Sequence, residues 1–221
     1  MSWEELDAQV RSLSDRLRIV EDVEEIENLQ IMYGPYLDYG MWEEFVDLFS
    51  DNAESFEVAD SGVYLGKAGV ERLCKFWAAG RVAKEGNTRG ELRGLVVPRI
   101  MFHAIMIGQA VIDISLGGKS AYGRWGGLEW AARSMDGTWI QYWGRGVYEN
   151  EYIKEDGRWR FKKLHWYRTF LTLYEDGWLK AQLTYSTQRS TLKPDRPGTG
   201  FHPYPEVCSV PFHYRHPITG R

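Results

Sequence analysis

The sequence predicts an α+β fold in which N-terminal helices pack on a long, strongly bent antiparallel sheet, with an extended C-terminal tail. Three observations carry that expectation. The first eighty residues hold apolar side chains at helical spacing, and from about residue 95 long apolar or alternating runs take over. Those runs are divided by the turn pairs Gly117-Gly118, Asp136-Gly137 and Asp156-Gly157, which tolerate the positive φ of tight hairpins. The helical segments precede the long runs instead of alternating with them, and a parallel sheet would need helices between its strands.

Taken in order, Leu6, Val10, Leu13, Leu17 and Val20 recur at alternating steps of four and three, the stripe of an amphipathic helix over residues 3–20. Asp22 followed by Glu25 has the form of a capping box, predicting a second helix from there, with Ile26, Leu29, Tyr33 and Tyr36 along it. Gly34-Pro35 predicts a kink or early end, because proline lacks a backbone donor, and Tyr39-Gly40 closes the segment. A third short helix is expected at 41–49, strands at 53–59 and 62–66, and a helix at 66–81 presenting Val70, Leu73, Phe76 and Trp77. Residues 82–94 read as a loop, and a four-strand meander follows. Residues 1–183 are thus expected to form one domain, and the proline-rich stretch 184–221 a tail that wraps over something. Gly117-Gly-Lys and Arg124-Trp-Gly-Gly127 lack the strand-to-helix setting of a phosphate cradle and are expected to be turns or bulges.

Composition excludes several classes of function. A net charge of −4 offers no basic face for nucleic acid. The apolar run from Leu95 to Ile107 is interrupted by Pro98, Arg99 and His103, too short and polar to span a bilayer. The acidic start predicts no secretory signal, and a cytoplasmic location is expected. Cys74 and Cys208 form no CxxC or Cys/His cluster, and His202, His213 and His216 show no ligand spacing, so neither metal nor cofactor is expected. The aromatic content of 14% suits a flat ligand as well as a core.

Strand alternation groups Arg99, Met101, His103 and Ile105 on one face, polar enough to line a ligand cavity. His103 there is either a proton carrier near neutral pH or a satisfied core histidine. Asp38 beside Tyr39-Gly40 reads locally as a turn or capping residue. Tyr33, Tyr36, Tyr64 and Tyr148 offer phenols that hold a substrate or carry a proton, with Tyr33 the catalytic candidate among them, or merely fill the core, and Arg99 and Arg124 bind an anionic group or make structural ion pairs. His165 is a weaker candidate because its strand phase is ambiguous.

The run from Tyr33-Gly-Pro-Tyr-Leu-Asp38 through Trp42 to Ala53 resembles the opening signature of SnoaL-like polyketide cyclases and scytalone dehydratase. The likeness continues through Gly66-Lys-Ala-Gly69, His103 and Glu155-Asp-Gly-Arg-Trp159-Arg-Phe161, covering about residues 22–180. It implies an NTF2-like, cone-shaped α+β barrel, a scaffold that hosts many activities. The dehydratase's buried Asp and His match Asp38 and His103, so the resemblance turns Asp38 into the group that orients the imidazole. A second histidine and an asparagine of that enzyme fall near Glu129 and Tyr148, where other side chains stand, so its water elimination does not carry over unchanged. The ending Pro211-Phe-His-Tyr-Arg-His-Pro-Ile-Thr-Gly220 resembles a subgroup that includes lignin-dimer γ-formaldehyde lyases. The resemblance implies cofactor-independent elimination from a small hydroxylated aromatic substrate. The alternatives are a dehydratase, cyclase or isomerase of a polyketide-like phenol, and a non-enzymatic binding or assembly subunit. A homo-oligomer, dimer or trimer, is expected because a strongly bent sheet usually has its exposed face covered.

Overall fold

The computed structural model describes residues 1–58, 61–81, 101–135, 138–180, 192–199, 206 and 209–221. Where two helices were expected, one continuous helix of 37 residues, α1 (Trp3–Tyr39), runs through. Its capping box is at the true N-terminus. The Ser2 hydroxyl accepts from the Glu5 amide at 3.2 Å and the Glu5 carboxylate accepts from the Ser2 amide at 2.7 Å. Asp22 and Glu25 lie mid-helix and clamp α1 to the sheet. The Asp22 carboxylate accepts from Trp159 Nε1 at 2.8 Å and from Lys154, and Glu25 accepts the Trp159 amide at 3.0 Å. Residues three apart share a helix face, so spacing that permits a cap equally permits a two-point clamp. Pro35 forfeits one intrahelical bond, but buried Ile26, Tyr33 and Leu37 hold the helix on either side and it continues to Gly40, whose φ of 68° ends it.

The remaining elements are α2 (Trp42–Asp47), β1 (Ser55–Val58), β2 (Val63–Leu65), α3 (Gly66–Arg81), β3 (Met101–Ile114), β4 (Ser120–Met135), β5 (Thr138–Glu155), β6 (Arg158–Leu173) and α4 (Gly177–Lys180). The strands form one six-stranded sheet in the order β2-β1-β6-β5-β4-β3. The meander β3 to β6 is antiparallel, but β1 joins β6 in parallel, making the sheet mixed. Helix α1 packs against both β3 and β6, which β4 and β5 separate, so the sheet must curl around the helix.

Alternate residues of the long strands face α1. On β4 these are Ala121, Gly123, Trp125, Gly127, Glu129 and Ala131, and on β5 Tyr142, Gly144, Gly146, Tyr148, Asn150 and Tyr152, all buried. Trp125, Tyr148 and Tyr152 join Ile26, Tyr33, Phe45, Phe161 and Trp166 in one core. A polar tie crosses it: Gln30 Oε1 on α1 accepts from Asn150 Nδ2 at 2.7 Å and from the Tyr152 hydroxyl at 2.8 Å. Gly126-Gly127, expected in a turn or bulge, is mid-strand. A Cβ on Gly127 would come within 2.8 Å of the Trp166 ring and 3.0 Å of Tyr148, so the missing side chain is where those rings lie.

The described tail residues strap the β2 edge of the sheet and then its outer face. Asp195 accepts the Leu65 amide at 2.8 Å and Arg72 at 2.7 Å, and the Thr199 hydroxyl donates to Glu57 at 2.8 Å. Further along, the Phe212 ring lies 4.4 Å under the Arg124 guanidinium and His213 Nδ1 is 2.7 Å from Glu149 Oε2. Among the described residues no helix is long and apolar enough to cross a membrane.

Candidate active site

Asp38 sits in the last turn of α1, one turn beyond Gly34, and both face β3. A Cβ on Gly34 would already touch the Ile105 carbonyl at 3.5 Å, so helix and strand are seated at contact distance. At that spacing the Asp38 carboxylate bridges two groups of β3. Oδ1 lies 2.8 Å from His103 Nδ1 and Oδ2 accepts the Ile105 amide at 3.3 Å. A carboxylate only accepts, so His103 Nδ1 carries the proton and Nε2 the basic lone pair. The side chains are 10% and 16% exposed, enough shielding to strengthen the pair.

Glu129 stands diagonally to His103 on the same face: His103 pairs with Ala131, and Ile105 with Glu129. Such neighbours lie about 7–8 Å apart. Gly144 opposes Glu129, and a Cβ there would fall 2.7 Å from Glu129 Oε1, so the glycine makes room for the carboxylate. Arg168 Nε donates to Glu129 Oε1 at 2.7 Å, with both side chains 9% exposed. Close by, the Tyr148 phenol is pushed well above its usual range, by burial first, then by the electrostatic effect of Tyr33, the charge of Glu129 and the hydrogen bond with Tyr33, while Arg168 opposes the shift. Tyr148 therefore stays neutral at ordinary pH and keeps a proton to donate. Tyr33 meets it edge-on at 5.6 Å between ring centroids. Tyr36 is half-buried against the same core.

Other predicted residues lie elsewhere. Arg124 is on the outer face, paired with Glu149 beneath the tail. His165 is also outward: its ring stacks on Tyr167 at 3.5 Å and Nε2 lies 3.2 Å from Glu57. Burial pushes the Glu57 carboxyl up, but the nearby His165 imidazole and the hydrogen bonds from Thr199 outweigh it and hold the group below the usual carboxylate range. Tyr64 is buried near β2, its hydroxyl 3.5 Å from the Ser61 carbonyl, away from the Asp38–His103 pair. Arg99 lies outside the described residues. The strand phase of His165 is ambiguous in the sequence because β6 carries two one-residue bulges. Register jumps from Glu151–Lys163 to Tyr152–Phe161 and from Arg145–Phe170 to Gly146–Arg168, leaving Lys162 and Thr169 unpaired. The first bulge turns His165 outward and aims Trp166 and Arg168 inward, so the sequence reading missed Arg168. Among the described residues no group of three or more His, Cys, Asp or Glu is placed to hold a metal.

The family model of the SnoaL-like domain matches residues 18–165. No curated protein matches the chain in sequence at a significant level. Among solved structures, a protein from Novosphingobium aromaticivorans DSM 12444 provisionally named a scytalone dehydratase superposes with a TM-score of 0.54 at 16% identity, covering 78% of this chain and 97% of its own. A type 2 hexachlorocyclohexane dehydrochlorinase, LinA, gives 0.57 at 16% identity, covering 72% and 92%. A second protein from Novosphingobium aromaticivorans, provisionally named an aromatic ring hydroxylase, gives 0.54 at 18%, covering 71% and 96%. At these identities the likeness is one of fold, and the fold is the NTF2-like one.

Proposed function

The chain belongs to the SnoaL-like family, and from that premise we propose that it is a cofactor-independent lyase acting on a small hydroxylated aromatic substrate. The most specific form of the reading is γ-formaldehyde elimination from a lignin-derived 1,2-diaryl-1,3-diol. The observation that carries it is the 2.8 Å contact between His103 Nδ1 and Asp38 on the helix-facing side of the sheet. In that reaction His103 Nε2 takes the proton of the primary hydroxyl, whose C–O bond becomes the carbonyl of formaldehyde. The C–C bond to the released carbon breaks, and its electron pair forms the double bond between the aryl-bearing carbons. The benzylic hydroxide leaves, recovering the proton from His103 as water. Diol becomes stilbene, formaldehyde and water with no change in net oxidation state, so the chemistry requires a proton carrier and no redox partner. Asp38 stabilises the transient imidazolium, while Tyr148, Tyr33 and the Arg168 charge suit a substrate phenol or phenolate.

Purified protein given a diaryl-1,3-diol should release formaldehyde as stilbene absorbance rises. His103→Ala should lower the rate about 10²–10⁴-fold, the usual contribution of a positioned acid–base group. An inert diol, or undiminished turnover in His103→Ala, overturns the reading. The neighbours named as a dehydratase and a dehydrochlorinase support a second reading, loss of water alone from a polyketide-like phenol, through the same pair. Product mass separates the two. A binding or assembly subunit would convert neither substrate.

A further inference from the structure

The first eighteen residues of α1 make a stripe that the chain itself does not cover. Trp3, Leu6, Val10, Leu13, Leu17 and Val20 follow one another at steps of 3, 4, 3, 4 and 3. That is the a/d pattern of a coiled-coil heptad, with a at 3, 10 and 17 and d at 6, 13 and 20. Leu13 and Leu17 are 60% and 58% exposed, and Trp3 86%. The next a and d positions are Glu24 and Glu27, so the seam stops where the helix reaches its own sheet. As far as Tyr33 the body takes mainly the far side of the helix, with Asp22, Ile26, Leu29 and Tyr33 at f, c, f and c and Gln30 at g, and only beyond it do d and a positions, Gly34 and Asp38, turn to β3. A partner on the seam therefore meets no competition from the fold.

We propose that this arm binds the same arm of a second copy of the chain as a parallel coiled coil. The seam is self-complementary, since identical apolar layers meet when two copies align in register. Its flanks choose the direction. In a parallel pair each g residue faces the e residue five places on in the partner, which sets Arg16 against Glu21 of the second copy, opposite charges at the body-proximal end. Antiparallel arms would oppose e to e and g to g. The e row holds Asp7, Ser14 and Glu21 and the g row Gln9 and Arg16, so antiparallel arms would deny Arg16 any acidic partner across the seam and leave the acidic e rows with no cation opposite them. Six apolar side chains per copy bury roughly 1,200 Å² in total, at the lower edge of what stable interfaces use.

Sedimentation equilibrium of the full chain at micromolar concentration tests the assignment. Wild type should exceed the monomer mass of 25.7 kDa. Leu13→Glu/Leu17→Glu, which drives charge into the seam, should weaken association roughly a hundredfold or more and leave the melting of the body unchanged. Ser12→Glu, on the c position, should associate like wild type. Val10→Cys should form an interchain disulfide under mild oxidant that wild type does not, because parallel in-register arms stack a on a. A monomeric wild type, or an unchanged mass in the double glutamate variant, overturns the proposal; association without the Val10→Cys cross-link overturns the parallel arrangement.

Discussion

Gly146 tests whether the inner face of the sheet is shaped by missing side chains. It lies mid-β5, opposite Gly127 on β4 and Arg168 on β6. A Cβ at 146 would fall inside the van der Waals limit of the Tyr167 carbonyl and within 2.7 Å of the Trp166 ring. One of those obstacles is backbone, locked in the β5–β6 ladder beside the Thr169 bulge, and cannot yield cheaply. Inserting a methyl into a packed core costs about 1–3 kcal/mol, and a backbone clash places Gly146→Ala near the top of that range. For a chain of this size each kcal/mol lowers Tm by about 2–4 °C, so a fall of roughly 6–12 °C is expected. Gly127→Ala meets only ring atoms, at 2.8–3.0 Å, and should lose about half as much. Because both methyls press on Trp166, the double variant should lose less than the sum. Gly108→Ala is the control: nothing lies within 4 Å of its Cβ, and replacing a strand glycine should gain about 0.5–1 kcal/mol. Thermal unfolding followed by near- and far-ultraviolet circular dichroism reads all four. A Gly146→Ala Tm within a degree of wild type, or equal losses in Gly146→Ala and Gly108→Ala, would refute the packing argument.

Arg168→Leu leaves the Glu129 carboxylate buried without its cation and should cost about 3–5 kcal/mol in denaturant unfolding, whereas Arg168→Leu/Glu129→Leu should recover most of it; a loss under 1 kcal/mol in the single variant would show that Glu129 reaches water. Tyr148 and Tyr152 are both held above the usual phenol range, chiefly by burial, so the fold favours their neutral forms. Their stabilisation is complete below about pH 10, the unfolded value, and is lost as pH rises toward the folded ones, at up to about 2.7 kcal/mol per pH unit for the two together. Denaturant midpoints at pH 9, 10 and 11 should fall more steeply in wild type than in Tyr148→Phe/Tyr152→Phe, and equal slopes would count against the burial.

The order of elements was legible because helical spacing, hairpin glycines and long alternating runs are local signals. Helix α3 spans the predicted 66–81, and the hairpins at Gly117-Gly118 and Asp156-Gly157 fall at their turn pairs. What failed was what distant residues decide. Asp22 and Glu25 have the spacing of a cap, but Trp159, more than 130 residues away, makes them a clamp. Pro35 has the chemistry of a break, and the sheet against α1 overrides it. The parallel β1–β6 pairing leaves no mark in either strand's sequence. Among the site candidates, Asp38 and His103 come together, whereas Arg124 and His165 do not.

Both outcomes have a single geometric origin. On β3 parity runs undisturbed from His103 to Ile107, so a reading of alternating residues puts His103 on the helix side with Ile105, where Asp38 meets it. On β6 the bulges at Lys162 and Thr169 each invert parity, and between them the strand presents Trp166 and Arg168 inward and His165 and Tyr167 outward. Without the first bulge His165 would share a face with Trp159 and Phe161, and Arg168 would point away from Glu129. A buried Glu129 lacking a cation would then carry the full cost of an unpaired charge. The extra residue at 162 is therefore as much a part of the site as the side chains it aims, because it decides which charges stand with His103 and which bind the tail.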